Sequence, residues 1–225
     1  MEFAFAELDP GHRYKLLTAL VVPRPIALVT TLGPEGVTNA APYSFFNTFG
    51  QEPPLVVLGI ERRDAVTAKD TGRNIDVTGE FVVNLVDEDL AEAMNLCAVD
   101  FPAGVSEPEI AGLELAPSRF VRPGRIARAP AALECRLFTL MRIGARRELV
   151  IGEVVGAHVR DGLLDRERLR IDYDRYRPVG RLCGDLYCRT RERFALRRRS
   201  YAEWCAEAGI TPEGPAEAAA QAKPR

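Results

Sequence analysis

Ala27-Leu28-Val29-Thr30-Thr31-Leu32-Gly33-Pro34-Glu35-Gly36-Val37-Thr38 opens on a run of apolar and β-branched residues and then breaks sharply. Ala27 to Thr31 reads as a strand. Gly33-Pro34-Glu35-Gly36, between Thr31 and Val37, reads as a hairpin turn, because proline presets one φ and glycine supplies the unusual one. Segments of the same kind recur at Leu55 to Ile60, Phe81 to Val86, Ala132 to Met141 and Leu149 to Val159, each bounded by Gly, Pro, Asn or Asp. Helical patterns are fewer. Arg13 to Leu20 reads as a short opening helix, and Thr71 to Val77 as a second, closed by Gly79. Asp87 to Ala98 is the clearest, with Leu90, Ala93, Met94 and Cys97 on one face. Strands do not alternate regularly with long helices, which disfavours a doubly wound parallel sheet. A mainly β fold with flanking helices, built as a closed or nearly closed antiparallel barrel, fits better.

At 225 residues, with 47% hydrophobic and 28% charged side chains, the composition is that of an ordinary globular protein of one domain, or two at most. It excludes disordered and collagen-like classes, and the longest apolar runs are too short to span a bilayer. Met1 to Leu8 carries Glu2 and Glu7 and no basic cluster, so a secretory signal is not expected. Five cysteines (Cys97, Cys135, Cys183, Cys188 and Cys205) without a C-x-x-C pair argue against a disulfide framework or zinc site and for a reducing cytoplasm. Asp100 to Arg128, rich in proline and glycine, reads as a long excursion. Tyr201 to Gly209 reads as a last helix, followed by a loose tail from Thr211 to Arg225. The expected organisation is a main domain over residues 1–200 with a C-terminal helix and tail over 201–225.

Net charge is −2, yet residues 1–117 carry 7 basic and 18 acidic side chains, and residues 118–199 carry 21 basic, all Arg, and 10 acidic. Ion pairing between the two halves of one fold explains this; attraction of anionic ligands such as phosphates is the sharper alternative. Acids dilute the basic half and no nucleic-acid motif is present, so nucleic acid is not an expected partner.

The absences narrow the chemistry. No G-x-G-x-x-G follows a strand and no P-loop is present. His12 and His158 are the only histidines, no G-x-S-x-G occurs, and metal-ligating residues do not cluster. No catalytic side chain is assigned. Reactivity in such a chain comes from a bound organic cofactor.

Two stretches suit one. Asn39-Ala40-Ala41-Pro42-Tyr43-Ser44-Phe45-Phe46-Asn47 sets small polar side chains among aromatics, with alanines that let a flat heterocycle approach the backbone. A turn into a strand, with Phe45 and Phe46 in the core, is the plainer alternative. Ala68-Lys69-Asp70-Thr71-Gly72-Arg73-Asn74 enters a helix, where free N–H groups, the Lys69 ammonium and the Thr71 hydroxyl suit a phosphate. Its plainer alternative is a helix capped by Asp70 or Thr71 beside a solvated Lys69.

These stretches resemble the flavin-reductase-like family with its FMN-binding split barrel, as does the preceding Pro23-Arg24-Pro25-Ile26-Ala27-Leu28-Val29-Thr30-Thr31. The likeness continues through Thr78-Gly79-Glu80-Phe81-Val82-Val83-Asn84, Ala129-Pro130-Ala131-Ala132-Leu133-Glu134-Cys135, Val150-Ile151-Gly152-Glu153-Val154-Val155 and Arg177-Pro178-Val179-Gly180-Arg181-Leu182. The resemblance covers roughly residues 10–198. It implies a Greek-key split barrel, a homodimer with flavin near the subunit interface, and redox chemistry on FMN with NADH or NADPH as transient hydride donor. A monooxygenase or an electron-transfer protein is the implied partner, and a non-catalytic FMN-binding electron carrier or redox sensor is the alternative. The resemblance places Thr30 and Thr31 beside the flavin, and Asn39, Ala41, Tyr43, Ser44 and Phe45 along its ring and ribityl chain. Lys69, Asp70, Thr71 and Asn74 fall on the phosphate side. Arg24 either assists or fixes chain direction. The family's glycine pair is here Cys183-Gly184, so Cys183 either narrows the space near the flavin or faces the core. Tyr187 matches a cofactor-approaching aromatic position or simply packs. The arginines from Arg189 to Arg199 suit a nicotinamide donor's phosphates, an acidic partner or plain solvent.

Overall fold

The computed structural model describes residues 1–102 and 104–211. Chain contacts divide it into two units, Met1–Arg191 and Glu192–Arg225. The first helix of the larger unit, α1 (Pro10–Leu20), begins three residues before the expected Arg13. Asp9 supplies the reason: its Oδ1 accepts from the N–H groups of Gly11 (2.8 Å) and His12 (3.1 Å), and Pro10 fills the first helical position.

β1 (Ala27–Leu32) and β2 (Thr38–Tyr43) form the hairpin read from the Gly-Pro-Glu-Gly turn, which Gly33 N–H closes onto the Val37 carbonyl at 2.9 Å. β3 (Phe46–Gln51), β4 (Pro54–Glu61), α2 (Asp70–Thr78) and β5 (Glu80–Leu85) follow. Gly79, left-handed at φ 69°, ends α2 as expected. After α3 (Ala91–Leu96), the long excursion holds one short helix, α4 (Glu107–Ile110), and a small pair of strands, β6 (Leu115–Ala116) and β7 (Arg125–Ile126). Two long strands, β8 (Ala131–Ile143) and β9 (Arg147–Val159), complete the main sheet. Short ladders follow: β10 (Leu164–Asp165) with β11 (Arg170–Ile171), and β12 (Val179–Arg181) with β13 (Tyr187–Arg189). In the smaller unit, Ser200 and Glu203 form a reciprocal cap that opens α5 (Tyr201–Ala208). The expected tail beyond Thr211 lies outside the described residues.

The seven main strands are all antiparallel, in the order β2-β1-β5-β8-β9-β4-β3. β2 and β3 stand at opposite ends of that order, yet only Ser44 and Phe45 separate them in the chain. Three Cα steps reach about 11 Å. The sheet therefore rolls up until its edges meet, which gives the nearly closed barrel. β1 is buried on both faces, and alternation sorts its residues between two cores. Ala27 and Val29 join Phe46, Val56, Leu58, Ile60, Phe81 and Val150 inside, with Ile75 of α2. Ile26 and Leu28 join Leu90, Met94 and Cys97 of the α3 region outside. Each large side chain so buried contributes about 1.5–3 kcal/mol of transfer free energy.

The expected helix from Asp87 to Ala98 shortens to α3. Its apolar face is as read, with Leu90, Met94 and Cys97 buried. Its start is displaced because Asp87 bridges Pro178 and Glu88 N–H donates to the Arg177 carbonyl at 3.1 Å. A contact from far along the chain thus holds residues that local periodicity assigns to a helix.

Candidate functional site

Along the edge strand β2 and the first turn of α2 runs a groove of three joined hollows. The first, about 460 Å³, lies among Gly33, Val37, Asn39, Asp70, Arg73 and Asn74. A narrower neck of about 130 Å³ follows, walled by Asn39, Ala41, Tyr43, Lys69, Thr71 and Glu107. The third, about 340 Å³, contains Ser44 and shares Pro42 and Ala98 with the neck.

Cross-strand register and helical spacing build its floor. Thr31 and Asn39 face one another across the hairpin, while Thr71 and Asn74, three apart, share a face of α2. Asn39 Nδ2 donates to Thr71 Oγ1 at 2.9 Å, and Asn74 Nδ2 donates to Thr31 Oγ1 at 3.1 Å. All four are buried, so two side-chain bonds fasten the helix to the hairpin. Tyr43 lines the same neck, and its phenol is pushed well above its ordinary range, first by burial and further by nearby carboxylates including Glu107 and Asp70, with Thr71 acting the other way. Asn74 Oδ1 is left buried without a partner among the described residues.

Beside this floor, α2 starts without a capping side chain: Lys69 occupies the cap position, and neither Asp70 nor Thr71 caps the helix. The half-buried Lys69 ammonium has no carboxylate partner among the described residues. Asp70 is held instead by Arg73 at 2.8 Å and Arg63 at 4.0 Å, and Arg63 also reaches Asp100 at 3.5 Å. Free helix N–H groups and the Lys69 ammonium set positive charge at one end of the neck, which the Asp70 and Asp100 carboxylates also line. Glu107 tempers it from across the neck: its Oε2 accepts from Ala40 N–H at 2.9 Å, and burial holds its carboxyl above the usual range.

Asn39, Ala41, Tyr43, Lys69, Asp70, Thr71 and Asn74 therefore come together, with Thr31 directly beneath Asn74. Thr30 faces away. Its hydroxyl donates to the Gly124 carbonyl at 2.6 Å and accepts from Asn84 Nδ2 at 3.2 Å, and it is fully buried. Phe45 lies against Tyr14, ring centroids 6.2 Å apart, and beneath the Arg147 guanidinium. Arg24 fixes the chain: its guanidinium donates to the carbonyls of Thr18 (2.6 Å), Val21 (2.9 Å) and Leu182 (2.8 Å). Arg189 and Arg191 share Glu88, holding its carboxyl below the usual range, with the Arg191 hydrogen bond the larger cause. Cys183 is half-buried, its Sγ 3.8 Å from Thr18 Oγ1. Sequence reading missed Arg63 and Glu107. Arg63 follows the end of β4 without a motif, and Glu107 arrives from the excursion, so neither had a local signal.

A family model described as flavin reductase like domain matches residues 19–180. An uncharacterised protein of Deinococcus radiodurans is 46% identical over 209 residues, spanning 90% of this chain and 91% of its own. Among solved structures, the 2-nitrobenzoate 2-nitroreductase NbaA of Pseudomonas fluorescens superposes with a TM-score of 0.83 at 43% identity, covering 89% of this chain and 98% of that one. Nitrilotriacetate monooxygenase component B of Bacillus cereus also scores 0.83, at 36% identity, covering 87% and 98%. No helix among the described residues is long and apolar enough to cross a membrane.

Proposed function

This chain belongs to the flavin reductase-like family, and on that premise we propose that it is an FMN-dependent oxidoreductase taking hydride from NADH or NADPH. The observation that carries this reading is the groove itself, with an unpaired cation and an uncapped helix at one end and a flat-walled strand edge along its length. Its donor set fits flavin mononucleotide. Lys69, the free N–H groups of α2 and Thr71 would hold the phosphate, with Arg63 adding charge. Asn39, Ala41, Pro42 and Tyr43 would line the ring and ribityl chain, and Ser44 would lie at the far end. Thr31, Asn74 and Asp70 position that first layer, while Thr30 packs on the opposite face of β1 against Asn84 and Gly124. When bound, the flavin supplies a ring that accepts hydride. The protein contributes binding and orientation, since hydride transfer needs no general acid.

We assign the activity to the domain of residues 1–200, in the cytoplasm and in a homodimer. Exposed Phe49, Phe138, Met141 and Ile143 support a second copy. The Bacillus cereus neighbour is a monooxygenase component and the Pseudomonas neighbour a nitroreductase, which supports passage of reducing equivalents to a partner acceptor.

Anaerobic titration of the purified chain with FMN, FAD and riboflavin, while following NADH and NADPH oxidation, tests the proposal. A yellow protein bleached by either nicotinamide is the expected result. Flavin reduced only by dithionite or a protein donor would make the chain an electron carrier, and failure to take up any flavin would end the reading.

A further inference from the structure

The third hollow is built differently from the rest of the groove. Arg24 and Arg181 face each other as an isolated backbone pair, with Arg24 N–H to the Arg181 carbonyl at 3.0 Å and the reverse bond at 2.9 Å, and both line the hollow. Arg24 is nine-tenths buried, and among the described residues its guanidinium meets carbonyls and the Ser44 hydroxyl and no carboxylate. Arg181 stacks over the Tyr187 ring at 4.4 Å and donates to the Tyr187 hydroxyl, which in turn donates to Asn95 Oδ1 at 3.3 Å. The remaining Arg181 N–H groups have no partner among the described residues. Among the described residues one carboxylate, the exposed Asp185, lines the hollow against these two cations. Tyr14, Ile26, Pro42, Met94 and Tyr187 make the walls apolar and partly aromatic.

A pocket with excess guanidinium charge and flat apolar walls selects a planar organic anion. Its volume, about 340 Å³, sits at the small end of ligand pockets, which run from about 300 to 1,000 Å³, and suits one ring rather than a dinucleotide. We propose that this pocket binds an aromatic monocarboxylate of the benzoate class, with the free fork of Arg181 on the carboxylate and Tyr14 and Tyr187 flanking the ring. The pocket's existence is independent of the flavin reading; its purpose, seating a second reactant beside the cofactor, rests on that reading.

The test is calorimetric titration of the full chain, with and without FMN, using benzoate, 2-nitrobenzoate, benzamide and cyclohexanecarboxylate. Benzoate and 2-nitrobenzoate are expected to bind about tenfold tighter than neutral benzamide, the size of one charge-assisted contact, and tighter than the non-planar cyclohexanecarboxylate. Arg181→Gln is expected to remove that advantage, Arg181→Lys to restore part of it, and FMN affinity to stay unchanged in both. Equal binding of benzoate and benzamide, absence of benzoate binding, or an unaffected Arg181→Gln variant overturns the proposal. Displacement of benzoate by FMN also overturns it, because the flavin then reaches past Ser44 and fills the third hollow itself. Charge-dependent benzoate binding by a chain that takes up no flavin would instead remove the flavin reading and leave the pocket standing.

Discussion

The Asn39 side-chain amide donates to the Thr71 hydroxyl across 2.9 Å, and both residues are buried. Through that bond the edge strand of the barrel is tied to the first turn of α2. Thr71→Val removes the acceptor while keeping the shape, leaving the Asn39 amide without its partner. An unsatisfied buried donor costs about 1–3 kcal/mol, so urea unfolding should show a loss of that order, with weaker flavin binding as the neck loosens. A double-mutant cycle with Asn39→Ala checks the pairing. Additive losses would mean that the two residues act separately.

Lys69 separates a phosphate site from a general flavin site. It is the half-buried ammonium of the neck with no carboxylate partner among the described residues, at the cap position of α2. Lys69→Met should weaken FMN binding about tenfold, or about 1.4 kcal/mol, while riboflavin, which lacks the phosphate, binds as before. Raising salt should shrink the difference between FMN and riboflavin in the native chain and leave the variant nearly flat. Equal losses for both flavins, measured by fluorescence quenching, would place the phosphate elsewhere.

Gly72 sits where helix propensity and packing oppose each other. Alanine in a helix is ordinarily favoured over glycine by about 1 kcal/mol. Here a β-carbon would fall 2.5 Å from Glu148 Oε2. That carboxylate cannot easily retreat: it pairs with Arg62, and both partners are almost wholly buried. Disturbing a buried pair costs about 3–5 kcal/mol, so the packing effect should win and Gly72→Ala should destabilise. A rise in the urea midpoint would show that Glu148 moves aside freely.

Much of the barrel was legible because its signals are local. The Gly33 to Gly36 turn, the apolar runs of β1, β4, β5, β8 and β9, and Gly79 at the end of α2 each carry their cause within a few residues. β2 and β3 carry no apolar run of their own, so the sequence shows them only as the hairpin's return arm and as one alternative for Asn39 to Asn47, for an equally physical reason. Asn39-Ala40-Ala41-Pro42 has no β-branched run, and β3 is exposed beyond Phe46, so both edge strands are defined by register with a neighbour. The candidate site follows the same division. The residues of β2 and of the first turn of α2 stood in two quotable stretches, whereas Arg63, Glu107 and the outward turn of Thr30 depend on contacts made only after folding. The alternation that buries Val29 inside also turns Thr30 to the opposite face, toward Asn84 and Gly124.

Glu107 makes stability and ligand affinity respond to pH in linked ways. Burial, the largest influence, raises its carboxyl above the ordinary 4.5, and the bond from Ala40 N–H only partly offsets this. Between 4.5 and that raised value the folded chain keeps a proton the unfolded chain has released. The contribution is therefore fully present below 4.5 and is lost as pH rises through the folded value. Glu107→Gln keeps an acceptor for Ala40 and removes the titration. Its stability relative to the native chain should rise from acid to neutral pH in paired urea titrations. Because Glu107 and Lys69 line the same neck, the variant should also bind FMN more tightly at neutral pH without changing its affinity for riboflavin. A stability difference that stays flat, or falls, across that range would mean that the Ala40 bond outweighs burial and that the carboxylate is held ionised.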